Sequence, residues 1–164
     1  MTVRSAGILL YRRDPASALQ VWIAHMGGPF WARKDAGAWS IPKGEINEGE
    51  GEDPLQAAIR EAREELGVDI DGDFVALTPV RQAGGKLVHA WAVRADLDPA
   101  AVRSNTFELE WPPKSGRTQT FPEVDRAGWF RPDEARLTIL KGQVPLIDEL
   151  AALADRRPDL PRKS

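Results

Sequence analysis

Between Leu55 and Leu66 apolar side chains recur at helical spacing: Leu55, Ala58, Ala62 and Leu66 form one stripe with charged residues between them, as in a helix packed on one side. Asp53 is an effective N-cap and Pro54 fits the first helical position. Gly67 can take the left-handed conformation that stops a helix, so the pattern predicts a helix over 54–66. Upstream, the unbroken apolar run 6–11 predicts a buried strand turning at 12–15, and 20–24 its hairpin partner. A further strand is expected over 39–44, leading into the acidic segment before the helix. Downstream, 71–73 reads as a turn, 74–80 as a strand and 81–85 as a turn-rich link. Residues 86–94 alternate, placing Leu87, His89, Trp91 and Val93 on one face. A polar connection over 98–104, possible as a helix, leads to an alternating strand over 106–111 and a loop over 112–119. A short helix is expected over 132–140. A longer one over 144–156 carries Leu146, Ile147, Leu150 and Leu153 as its buried stripe.

At 164 residues the chain is expected to form one domain over 1–157 with a frayed tail over 158–164. The net charge of −3 argues against a bulk nucleic-acid binder, which would carry a basic excess. The absence of cysteine removes a disulfide framework, a thiolate zinc site and a cysteine nucleophile, and fits a cytoplasmic setting. The N-terminal apolar run is too short for a membrane span and has no signal-peptide cleavage pattern.

The charged face of the predicted helix carries the chemistry. Glu61, Glu64 and Glu65 stand at i, i+3 and i+4, so three carboxylates crowd one face and repel. Arg60, one turn before Glu64, and the nearby Arg63 can pair part of that charge. The remainder suits a hard divalent cation held by oxygens, of which magnesium is the usual example. A solvated amphipathic helix with acid on its wet face is the competing reading of this string alone. Lys43 carries an ammonium group into the same glycine-broken loop, where it would offset phosphate charge or simply be solvated. The loop 25–35 offers aromatics and cations that either meet a base and phosphates or close over the edge of the core. His25 is expected to be a structural hydrogen-bonder, and His89 a core or cleft-wall histidine.

In these residues the chain resembles the Nudix hydrolases, whose signature runs Gly, five residues, Glu, seven residues, then Arg-Glu-apolar-any-Glu-Glu-any-Gly-apolar. Arg60, Glu61, Ala62, Glu64, Glu65, Gly67 and Val68 match its second half, and Glu52 stands seven residues before Arg60. Ile46 occupies the position five residues before Glu52, and the nearest fitting glycine is Gly44, so the loop is two residues longer than the family spacing. Glu52 is taken over Glu50 because the helix fixes its register.

The resemblance implies an α/β protein: an α/β/α sandwich with a central mixed sheet, the Nudix fold. It also implies Mg²⁺-dependent hydrolysis of the phosphoanhydride of a nucleoside diphosphate derivative by metal-activated water, with Mn²⁺ as a possible substitute. NTPs, dinucleoside polyphosphates, ADP-ribose and nucleotide sugars are all within that class. By the same resemblance Glu64 and Glu65 are metal ligands, completed by Glu123 and the Gly44 carbonyl. Glu61 binds metal or acts as base, and Glu52 and Arg60 orient these groups by ion pairing. Glu123 is chosen as the late carboxylate because it lies shortly before the aromatic strand at Trp129; Glu108, Glu110 and Asp125 are its rivals. Lys43, Lys114 and Arg117 are candidate phosphate contacts, and specificity is expected in the loops 27–34 and 112–119. Elementary chemistry agrees on the reaction type, since phosphoanhydride cleavage needs neutralised oxygens and an activated water. A non-catalytic Nudix-fold module that binds nucleotides or a protein, and an unrelated acidic-helix interaction protein, are the alternatives.

Overall fold

The computed structural model describes residues 3–67, 69–96, 98 and 104–156. Val68, most of the connection expected over 98–104, and the domain boundary and tail expected at 157–164 lie outside the described residues. In chain order the elements are β1 (Arg4–Arg13), β2 (Leu19–Met26), β3 (Trp39–Ser40), β4 (Lys43–Glu45), α1 (Pro54–Leu66), β5 (Val75–Ala76) and β6 (Val80–Arg81). There follow β7 (Leu87–Arg94), β8 (Thr106–Glu110), β9 (Thr118–Pro122), β10 (Val124–Phe130), α2 (Pro132–Thr138) and α3 (Val144–Arg156).

β1 is the centre of a mixed sheet of order β10-β2-β1-β7-β5. It pairs antiparallel with β2, Leu10 opposite Trp22, and parallel with β7, Ile8 opposite Trp91. A strand covered on both faces needs apolar residues at every position, and the run 6–11 supplies them. Ala6, Ile8 and Leu10 join Trp22, Ala24 and the buried face of α1. Leu9 and Tyr11 turn to the other side, against Val21, Ile23, Val88 and the α3 residues Leu146, Ile147 and Leu150. The two helical layers on either side of the sheet make the expected α/β/α sandwich. No described helix is long and apolar enough to cross a membrane.

α1 forms where its end signals lie. The Asp53 carboxylate accepts from the Leu55 and Gln56 N–H groups at 3.1 and 3.3 Å, and the Gly67 N–H closes the other end on the Arg63 carbonyl at 2.8 Å. Its buried residues are Ala57, Ala58, Ala62 and Leu66, while Leu55 is half-buried. Alanines at the contact let the helix backbone approach the sheet closely.

Three expectations need correction. The strand over 39–44 is broken: β3 pairs with β2, and the chain then crosses at Ile41 and Pro42 so that β4 pairs with β1. Pro42 has no N–H to give a ladder, and its carbonyl instead accepts from Ile8 N–H at 3.1 Å. The strand over 74–80 is two short pieces, β5 and β6, each pairing with β7. The loop over 112–119 ends early, because Thr118 and Gln119 already belong to β9, which pairs with β8 as a separate two-stranded ribbon. On β7 the expected face of Leu87, His89, Trp91 and Val93 is only half-buried at its first three positions and buried at Val93, while Val88, Ala90 and Ala92 on the other face are buried.

Buried polar groups tie the pieces together. Gln143 accepts from Ile41 N–H at 3.0 Å and donates to Ser40 Oγ at 2.9 Å and Gln82 Oε1 at 2.7 Å. His25, fully buried, donates from Nε2 to the Lys34 carbonyl at 2.6 Å and meets the Asp125 carboxylate through Nδ1 at 2.8 Å. That histidine is structural, joining β2 to the following loop and to β10.

Candidate active site

The glycine-broken loop before α1 solves its extra length locally. Glu48–Glu50 forms a single 3-10 turn, after which Glu52 N–H returns to the Asn47 carbonyl at 3.2 Å and the Glu52 carboxylate accepts from Asn47 N–H at 3.0 Å. The two additional residues are taken up in this turn, and the register on either side is kept. Glu52 therefore reaches Arg60, which holds it with two hydrogen bonds at 2.8 and 3.0 Å, while Glu50 is exposed. Gly44 sits against α1 so closely that a Cβ there would overlap the Glu61 carboxylate. Only glycine can stand at this position without moving that side chain.

Arg60 is the hub of the acidic face. Besides Glu52 it donates to Glu61 at 2.9 Å, to Glu64 at 3.3 Å and to the Glu45 carbonyl at 3.1 Å. These bonds, that to Glu52 first, raise the guanidinium pKa and lower that of Glu52. Glu65 has a different environment. It accepts one backbone bond, from Lys43 N–H at 3.1 Å, and makes no side-chain ion pair among the described residues. Burial, then the charges of Glu123 and Glu61, push its carboxyl up to about 8. Glu61 is also raised, by burial against the opposing pull of Arg60, and Glu123 by burial and then by Glu64. Glu123 lies between β9 and β10, anchored by its own carbonyl accepting from Gly27 N–H at 2.8 Å and its N–H donating to the Asn105 carbonyl at 2.8 Å.

These groups open into a cleft of about 370 Å³, lined by Gly44, Glu61, Glu65, Glu123 and Lys43 among others. Lys43, half-buried, has its pKa lowered by burial and by the neighbouring Lys86. Of the residues expected from the sequence, this cleft gathers those five. Glu52, Arg60 and Glu64 do not line it, and Arg60 links the two glutamates to Glu61. Lys114 and Arg117 do not line it; both are exposed at the tip of the β8–β9 ribbon. The rivals Glu108, Glu110 and Asp125 do not line it either: Glu110 caps the ribbon turn by accepting from Lys114 and Gly116 N–H, and Asp125 is committed to His25. Sequence reasoning missed Ser5, Lys86 and Phe107. The only signal was placement at the start of a strand, and the parallel pairing that brings β1 beside β7 cannot be read from alternation.

Glu61, Glu65 and Glu123 share one cleft, each with its pKa raised first by burial and then by neighbouring carboxylates, a donor set that fits a hard divalent cation. Among the described residues no three acidic or histidine side chains already surround a common point, and Arg60 bonds both Glu61 and Glu64.

A mixed sheet between helices, with one helix presenting carboxylates to an open cleft, is an arrangement suited to holding a divalent cation beside an anionic ligand. A family model for the NUDIX domain matches residues 1–150. The chain therefore belongs to the Nudix hydrolase family. Among solved structures, an Ap4A hydrolase of C. elegans in a binary complex is similar, with TM-score 0.62 and 19% identity over 93% of this chain and 98% of that one. The NUDIX domain of Shewanella oneidensis NrtR complexed with ADP ribose gives TM-score 0.62 and 14% identity over 93% and 88%. RenU, a Nudix hydrolase of M. smegmatis, gives TM-score 0.54 and 24% identity over 94% and 86%. No curated protein matches the sequence at a significant level.

Proposed function

We propose that the protein hydrolyses a phosphoanhydride bond of a nucleoside diphosphate derivative with Mg²⁺ as cofactor and Mn²⁺ as a working substitute, as one domain over 1–157 in the cytoplasm. The observation that carries this reading is the grouping of Glu61, Glu65 and Glu123 in one cleft with Lys43, Glu65 being pushed up to about 8. Burial and the charges of Glu123 and Glu61 hold that carboxyl above its usual range against the pull of Lys43, and a divalent cation would supply the positive charge these carboxylates call for. When bound, the ion would neutralise phosphate charge and acidify a water. Glu65 and Glu123, with Glu64 and the Gly44 carbonyl, would hold it. Glu61 would join them or accept the proton of the attacking water. Arg60 and Glu52 fix the acidic face in orientation. Lys43 would meet phosphate, and Lys114 and Arg117 would act only on a substrate long enough to reach the ribbon tip. Ap4A and ADP ribose, the compounds of the similar Ap4A hydrolase and of the NrtR NUDIX domain complex, set the starting substrates.

A second reading has one observation in its favour: Arg60 occupies Glu61 and Glu64 directly, as expected of a module that binds nucleotides without turnover. A panel of NTPs, dinucleoside polyphosphates, ADP-ribose and nucleotide sugars, incubated with Mg²⁺ or Mn²⁺ and followed by phosphorus NMR, separates the two. Metal-dependent appearance of two phosphorylated products, lost in Glu64→Gln and Glu65→Gln, is the expected result. Binding without product, or variants as active as the parent, would reject the catalytic assignment.

A further inference from the structure

Glu123 enters the cleft with no partner for its side chain. Among the described residues its carboxylate makes no hydrogen bond or ion pair, and burial and the charge of Glu64 act on it. Glu65 in turn feels the charge of Glu123, so the three stand close although they come from two places, α1 and the junction of β9 with β10. The Glu123 side chain is therefore aimed by its main chain. That main chain lies at the root of the β8–β9 ribbon, whose ladder ends at the pair Thr106 and Pro122. A two-stranded ribbon has little stability alone, and fixing its root needs bonds beyond the ladder.

Ser104 and Asn105 supply those bonds. Asn105 donates its N–H to the Glu64 carbonyl at 3.2 Å, and its own carbonyl accepts from Glu123 N–H at 2.8 Å. The Glu64 carbonyl is one of the last four of α1, groups that a helix leaves for partners outside itself. The half-buried Ser104 closes the clip: its hydroxyl donates to the Asn105 carbonyl at 2.7 Å and accepts from Val124 N–H at 2.9 Å. On the far side the Glu123 carbonyl accepts from Gly27 N–H at 2.8 Å, where a Cβ on Gly27 would overlap the Pro122 carbonyl. Both main-chain groups of Glu123 and the N–H that follows are thus engaged, and one residue, Asn105, joins its backbone to that of Glu64.

We propose that Ser104 and Asn105 are positioning residues for the metal site: they register the Glu123 carboxylate against those of Glu64 and Glu65, so that a divalent cation meets ligands from α1 and from the ribbon root already in place. Neither residue lines the cleft; both act through Glu123. Groups behind metal ligands fix the ligands' orientation, and their loss commonly costs roughly 10–100-fold in metal affinity. This inference rests on the reading of Glu123 as a metal ligand, and it extends the site to two residues outside the acidic motif of α1.

The test is Mg²⁺ titrated calorimetrically into the full chain, with thermal melting in EDTA as the fold control. Ser104→Ala should weaken Mg²⁺ binding about tenfold, and Ser104→Thr, which keeps the hydroxyl, should stay within about twofold of the parent. Glu123→Gln should weaken binding at least as much as Ser104→Ala. The double variant should bind no more weakly than Glu123→Gln alone, because the serine acts through that glutamate. A serine that merely supports the fold would lower the melting temperature and leave the affinity unchanged. Parent-like affinity in Ser104→Ala, or losses that add in the double variant, would overturn the proposal while leaving Glu123 a ligand. Parent-like affinity in Glu123→Gln, or no Mg²⁺ binding by the parent, would reject Glu123 as a metal ligand and the proposal with it.

Discussion

Glu65→Gln separates the electrostatic cost of the site from its function. Glutamine keeps the shape and still accepts from Lys43 N–H through its carbonyl oxygen, the bond seen at 3.1 Å, but it removes the charge. The Glu65 carboxyl is pushed up to about 8 in the folded chain, so between its unfolded value and pH 8 the folded state binds more protons than the unfolded one. Metal-free stability must then fall as pH rises through this window. Each pKa unit is worth ~1.4 kcal/mol, which caps the cost of the ionised group at roughly 5 kcal/mol; partial solvent access and sharing of the charge with Glu61 and Glu123 bring the expected difference to about 2 kcal/mol. In EDTA the variant should match the parent near pH 4 and exceed its melting temperature by about 4–8 °C at pH 8.5. Adding Mg²⁺ should reverse the order, since only the parent gains binding energy from the ion at this position. Thermal denaturation at half-unit pH steps, with and without Mg²⁺, provides the measurement. A variant less stable than the parent in EDTA at pH 8.5, or a difference that does not change with pH, would refute the assignment of Glu65 as the uncompensated charge.

Gly44→Ala places a methyl group on the Glu61 carboxylate; it should cost about 1–3 kcal/mol in urea denaturation and abolish most of the Mg²⁺-induced rise in melting temperature. Arg60→Ala releases Glu52, Glu61 and Glu64 together; a loss on the order of 1 kcal/mol is expected, with a Mg²⁺ response equal to or stronger than the parent's, because the ion no longer competes with a guanidinium. Gln143→Ala strands Ile41 N–H in the interior and removes the bonds to Ser40 Oγ and the half-buried Gln82; it should cost about 1–3 kcal/mol, with little change in the Mg²⁺ response of what remains folded.

What could be read from the sequence was local. Asp53, Pro54 and Gly67 mark α1 because caps act within one turn, and the Glu61–Glu65 face follows from helical geometry alone. The run 6–11 announced a strand buried on both sides for the same reason. Long-range placement was beyond a single chain's pattern. Nothing in alternation tells that β7 lies parallel to β1, so Lys86 and Ser5, more than eighty positions apart in the register that joins them, escaped notice. Lys114 and Arg117 had the right charge in a plausible loop, but the ribbon carries its tip out to solvent. The acidic loop is two residues longer than the family spacing. The 3-10 turn at Glu48–Glu50 shows how two residues can be absorbed without disturbing Gly44 or Glu52.

The central position of β1 also constrains the order in which the molecule can be assembled. Its parallel partner begins at Leu87 and the strand that covers β2 ends at Phe130, so during synthesis β1 and β2 emerge as a hairpin with one apolar edge unpaired until β7 is available. Closing so large a loop is slow relative to helix formation, and α1, complete long before, has no finished sheet to dock against. The cleft draws on residues from Ser5 to Glu123 and comes into existence only after most of the chain has left the ribosome. Shortened chains ending before β7 would therefore display the acidic helix without the walls that give it a task, and would leave an edge of the buried strand β1 open to aggregation.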